Sequence, residues 1–152
     1  MGGTQLEIGA ILFHKRFEFF DGELGEKLIV LLNEPETPEE IEEGYIFART
    51  TSQEKSRFRE PECQPDRSEF FIAANNDWFL NDTWVQLYEL YTFDVKTVIE
   101  DSLTGVLEVK GRLKENKTGQ LINCVNKATD VSGLHKRIIN TSYKHYLTRK
   151  KA

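Results

Sequence analysis

Lys27-Leu28-Ile29-Val30-Leu31-Leu32-Asn33 sets five consecutive apolar residues between a cation and an amide. The run has no 3.6-residue stripe and is too short for an amphipathic helix, so it reads as the most buried strand of the chain. The segments around it read the same way. Upstream, Ile8 to Phe20 alternates through Ile11 and Phe13, then Phe17 and Phe19, as one long or bent strand. Asp21-Gly22 is a turn dipeptide, and Asp21 to Glu26 forms a loop with a second glycine, Gly25.

Downstream, Thr37-Pro38-Glu39-Glu40 carries helix-start chemistry: a capping hydroxyl, a proline suited to the first helical position, and acids at the positive end of the dipole. Gly44 stops that short helix. Tyr45 to Thr50 is a third strand. Ser52 to Arg67 is a long polar loop with Pro61 and Pro65. Glu69 to Ala73 is a short strand, followed by a turn at Asn75-Asn76-Asp77. Thr83 to Leu90 alternates, with Val85 and Leu87 on one side and Trp84 and Tyr88 on the other. Gly105 to Leu113 is the last strand. Helical spacing then begins. Leu121, Ile122 and Val125 follow a possible Thr118 cap, and Leu134, Ile138, Ile139 and Tyr146 repeat behind Asp130 or Ser132.

About six short strands, one early helix and two C-terminal helices predict an α+β domain spanning residues 1–152. Its small twisted barrel covers roughly 8–113 and its helical part 118–149. A chain of 152 residues with 10 Phe, 5 Tyr and 2 Trp has the aromatic area for such a core. No stretch is apolar enough to span a bilayer, and Met1 to Leu6 does not read as a secretion signal, so a cytoplasmic protein is expected. Cys63 and Cys124 read as free thiols in a reducing compartment, and without CxxC or His-rich spacing no metal site or cofactor is expected. His14 reads as structural, with no acid set to orient it.

A net charge of −5 counts against a dedicated nucleic-acid binder. The charge is segregated, however. Residues 34–43 hold six glutamates and no base, while 134–151 hold six Lys or Arg and two His and no acid. The negative total is therefore compatible with a positive face, and the basic tail is either a solvated helix face or an RNA-tracking surface.

Three pieces carry candidate chemistry. They are the loop Asp21 to Glu26 ending in Lys27, the strand end Ala48-Arg49-Thr50-Thr51-Ser52-Gln53, and Asn81-Asp82-Thr83-Trp84-Val85. In this order they resemble the MazF/PemK family of toxin endoribonucleases. There a mobile glycine-containing loop leads into a basic residue before an apolar strand, similar to Lys27 before Leu28-Ile29-Val30-Leu31-Leu32. A later family strand ends in a Thr/Ser pair, similar to Thr50-Thr51-Ser52. The element Gly111-Arg112-Leu113 and a helix over 119–128 resemble the family's close. The likeness covers roughly residues 8–128 in element order, with few identities. This chain has lysine where the family has arginine and Leu28 where a proline often follows.

The resemblance implies a small SH3-like barrel, often a homodimer, that cleaves single-stranded RNA without metal or cofactor and is neutralised by a cognate antitoxin. It maps the catalytic pair to Lys27 and Thr51. Such cleavage uses the 2′-OH as nucleophile, so a proton acceptor and a stabiliser of phosphorane charge must meet in one groove. Strand alternation puts Arg49 and Thr51 on one face and turns Thr50 away, which would offer Arg49 as a phosphate fork. Ser52, Gln53 and Gly25 complete the expected RNA-contacting set, with Trp84 or Tyr88 as a base-stacking surface. Loops 21–26 and 53–67 would gate the groove. The competing expectation is a non-catalytic SH3-like module that binds a protein or peptide. Cys63 as a nucleophile is a weaker third, since it has no assigned histidine partner.

Overall fold

A computed structural model describes residues 6–18, 24–53, 57–75 and 77–151. Their order is β1 (Ala10–Glu18), β2 (Leu24–Leu31), α1 (Pro38–Glu43), β3 (Tyr45–Thr51), β4 (Cys63–Gln64), β5 (Glu69–Ile72), β6 (Thr83–Phe93), α2 (Val95–Thr104), β7 (Leu107–Arg112), α3 (Glu115–Lys127) and α4 (Gly133–Lys151). The strands form one seven-stranded sheet in the order β4-β5-β6-β3-β2-β1-β7, and every paired neighbour is antiparallel. The architecture is therefore α+β, with β4 and β7 at the ends of the hydrogen-bonded order.

The apolar run in β2 is explained by burial on both faces. Val30 and Leu32 join Ile11, Ile46, Val85 and Leu87 on one side, where Leu121, Ile122 and Val125 of α3 and Ile138, Ile139 and Tyr146 of α4 pack with them. Ile29 and Leu31 point the other way, into Leu12, Phe17, Phe47, Tyr91 and Leu107, with Val98 of α2. A strand buried on both faces loses the polar alternation that marks a half-exposed one. Each such side chain contributes about 1.5–3 kcal/mol of burial.

Local chemistry accounts for the helix ends. Thr37 Oγ1 accepts from Glu40 N at 3.2 Å, and Glu40 Oε1 accepts from Glu36 N at 3.0 Å, satisfying N–H groups at the start of α1. Gly44 ends the helix at φ +97°, a region that favours glycine. Asn33 joins these elements from a fully buried position: its Nδ2 donates to Gly44 O at 3.1 Å and its Oδ1 accepts from Ile46 N at 2.7 Å. Ser132, not Asp130, caps α4, its Oγ accepting from His135 N at 3.1 Å.

Several expectations are corrected. The stretch between Leu90 and Gly105, given no element in the sequence reading, holds α2 at Val95–Thr104, capped by Asp94 Oδ2 accepting from Thr97 N at 3.3 Å. Thr118 is not the cap of α3. The helix begins one turn earlier at Glu115, and Thr118 Oγ1 donates back to Lys114 O at 3.0 Å. Cys63 and Cys124 are not free thiols. They form a disulfide, with Cα atoms 5.5 Å apart, that ties β4 to α3. A nucleophilic Cys63 and the thiol argument for a reducing compartment both lose their basis. No helix among the described residues is long and apolar enough to cross a membrane.

The opposed charge blocks meet each other. Arg149 pairs with Glu34 and Glu36, Arg137 with Glu39 at 3.4 Å, and His145 lies 3.5 Å from Glu36. Ser142 Oγ donates to Glu34 O at 3.1 Å in the same seam. Part of the basic helix is therefore laid along the acidic segment, while Lys144 and Lys150 stay exposed. Each exposed pair is worth only about 0–1 kcal/mol, but together they fix which side of α4 faces α1.

Candidate functional site

A cleft of about 510 Å³ opens where β2 and β3 separate. Residues 27–28 and 50–53 line one side, and the β5–β6 connection, residues 78–81, lines the other. The strands pair Ile29 with Arg49, Val30 with Ala48 and Leu31 with Phe47. Continuing that register places Leu28 opposite Thr50 and Lys27 opposite Thr51. The backbone ladder has ended there, and Thr50 takes it over: its Oγ1 donates to Leu28 O at 2.9 Å. That bond commits the buried Thr50 to structure. The neighbouring Thr51 also lines the cleft, and its hydroxyl accepts from Gln53 N at 3.2 Å.

Lys27 is half-buried in the same wall, and among the described residues it has no carboxylate within ion-pair distance. Burial pushes its ammonium below the ordinary lysine range, and the nearby Arg49 and Arg57 guanidiniums push in the same direction. Both arginines are engaged with acids. Arg49 Nη2 lies 3.0 Å from Glu89 Oε2, and Arg57 Nε lies 2.9 Å from Glu69 Oε2, a carboxylate with 4% of its surface exposed. The site thus gathers three basic side chains, two of them paired with acids, and disfavours the charged form of the third, Lys27.

Of the residues expected at the site, Lys27, Thr51, Ser52 and Gln53 share this cleft. Arg49 does not line it. The register shift between Ala48 and Arg49 accompanies a turn of the guanidinium toward Glu89 and the Tyr91 ring, whose centroid is 5.7 Å away. Thr50, expected to point away, lines the cleft too, together with Leu28, whose carbonyl it bonds, and Phe13, the β1 partner of Leu28. Gly25 is not in a gating loop. It pairs with Phe17 inside β2, and residues 21–23 of the expected loop lie outside the described residues. Trp84 is fully buried, so it offers no stacking surface. Its indole N–H donates to Phe58 O at 2.8 Å, beneath the segment 57–62.

Three contributors were not legible in the sequence. Arg57 sits in a polar loop with no periodicity to mark it. Trp78 lines the cleft from a connection read only as a turn. Asp101, on the unforeseen α2, lies 3.6 Å from Nε2 of the buried His14, whose Nδ1 accepts from Arg16 N at 3.1 Å. Alternation along the strand set Thr51 on the face of Arg49, whereas Lys27 was named by the resemblance. No family model matches the chain, and no curated protein does.

Proposed function

We propose that the chain is a metal-independent endoribonuclease of the MazF/PemK kind, with its bent sheet serving as that family's SH3-like barrel. The observation that carries this is that Lys27 and Thr51 line one cleft just beyond the last paired residues of β2 and β3, with no carboxylate within ion-pair distance of the lysine among the described residues. The 2′-OH of a bound nucleotide attacks the adjacent phosphorus and loses its proton to the Lys27 amine, whose neutral form is favoured by burial and by two arginines. The Thr51 hydroxyl donates to a non-bridging oxygen as negative charge grows there. The P–O5′ bond breaks and the leaving oxygen takes up a proton, giving a 2′,3′-cyclic phosphate and a 5′-OH. Single-stranded RNA is the substrate, a cognate antitoxin laid in the same cleft is the neutralising partner, and a cytoplasmic homodimer is the working form.

The test is incubation of purified protein with mixed single-stranded RNA in EDTA, followed by end-group analysis. Fragments with cyclic phosphate ends that vanish in Lys27→Ala support the proposal. Intact RNA refutes it. The second reading, a non-catalytic module for a protein or peptide, is favoured by one feature, the apolar rim formed by Leu80, which is 79% exposed. It predicts intact RNA together with stoichiometric capture of a protein partner.

A further inference from the structure

Trp78 stands in the cleft wall facing the Lys27–Thr51 side, and 38% of its surface is exposed. The indole shares this wall with Phe13, Leu28, Phe79 and Leu80, so it offers a flat apolar face at an open cleft. Its orientation is fixed from behind. Gly111 of β7 lies so close that a Cβ there would sit 2.5 Å from Trp78 Cδ1 and 2.8 Å from Nε1, so only glycine admits the ring. The buried Phe79 meets it edge-on, with centroids 5.4 Å apart at 83°.

The loop that carries Trp78 is tied down on both sides. Asp77 Oδ1 accepts from Lys114 N at 3.2 Å, Asn75 N donates to Phe79 O at 2.8 Å, and Asp82 Oδ1 accepts from Ala74 N at 2.9 Å. The side-chain amides of Asn81 and Gln53 join the same cleft, each offering a donor and an acceptor.

We propose that Trp78 is the stacking platform for a base of the bound strand, so that the cleft selects unpaired nucleotides and rejects duplex. This rests on the nuclease reading only in taking nucleic acid as the ligand. A base in a duplex has both faces covered, whereas an unpaired base can leave its stack and lie on the indole. Lys27 then meets the phosphate of the same nucleotide.

The test uses a single-stranded oligodeoxynucleotide, which has no 2′-OH to attack and so separates binding from cleavage. Trp84 is buried, so quenching of tryptophan fluorescence on titration reports Trp78. The wild type is expected to show saturable quenching with the single strand and little with the matching duplex. Trp78→Leu should weaken the affinity by roughly tenfold or more, as read by fluorescence anisotropy of a labelled strand. Gly111→Ala, which displaces the ring without deleting it, should also weaken binding and guards against loss of fold in the first variant. Undiminished affinity in both variants overturns the platform while leaving the nuclease proposal to its own assay. Equal binding of duplex overturns it too. Failure of the wild type to bind the single strand overturns the platform and leaves the nuclease proposal to its own assay, and quenching by a peptide alone assigns the platform to a protein partner instead.

Discussion

Replacing both Cys63 and Cys124 with alanine opens a disulfide whose partners are 61 positions apart in the chain. Closing a loop of that length restricts the unfolded ensemble by about 4 kcal/mol in the chain-entropy account. The native contacts around the bond survive the change. β4 still pairs Cys63 with Phe70 and Gln64 with Glu69, Phe71 N still donates to Glu62 O at 2.8 Å, and Lys117 still reaches Glu62 at 3.1 Å. The loss therefore comes almost wholly from the unfolded side. Alanine suits the fully buried Cys124 site better than serine, which would bury a hydroxyl. Urea unfolding of oxidised protein, reduced protein and the double variant is the assay. With a slope of about 2 kcal/mol per molar, the midpoint should fall by roughly 2 M on reduction or double substitution. Coincident midpoints would refute the reasoning, as would mass spectrometry of a non-reducing digest that finds both thiols free.

Asn33→Ala removes a buried amide serving Gly44 O and Ile46 N, so it should cost about 2–4 kcal/mol in urea unfolding, whereas a surface Asn→Ala should cost little. Trp84→Ala should cost about 3–5 kcal/mol in the same assay, as expected of a core side chain. His14 is held below its usual 6.5 by burial, opposed by Asp101. The unfolded chain then binds the proton first, so stability should fall as pH drops through about 6.5 and level off below the folded value, and His14→Gln should flatten that dependence in a pH series of thermal melts. Arg49→Met removes one of the charges that lower the Lys27 pKa, so the rise of cleavage rate with pH should move to higher pH without loss of the fold.

The alternating and continuous apolar segments were legible because burial dictates them directly: the Lys27–Asn33 run, the Thr83–Leu90 alternation and the Thr37 cap all lie where their chemistry put them. α2 was missed although Asp94 and Gly105 mark its ends and Val95, Val98, Ile99 and Leu103 fall at helical spacing; of these only Val98 is buried, while Ile99 and Leu103 lie in water. The Cys63–Cys124 bond was invisible because a pair 61 residues apart carries no spacing signal. Arg49 was misassigned because alternation fixes a side chain's face, while the register shift after Ala48 and the acid at Glu89 decide where the guanidinium goes. Trp84 lies in the interior and not at a stacking surface for a related reason. A tryptophan within a strand flanked on both sides is interior, and one in a connection beside Gly111 stays at the surface.

A single-turnover double-mutant cycle on RNA in EDTA bears most directly on the Lys27–Thr51 pair. Lys27→Ala and Thr51→Ala should each slow cleavage by about 10²–10⁴, and the double variant should be scarcely slower than the worse single one, because two groups serving one transition state fail as a unit. Wild-type rates in both single variants, or losses that simply multiply in the double, would contradict it.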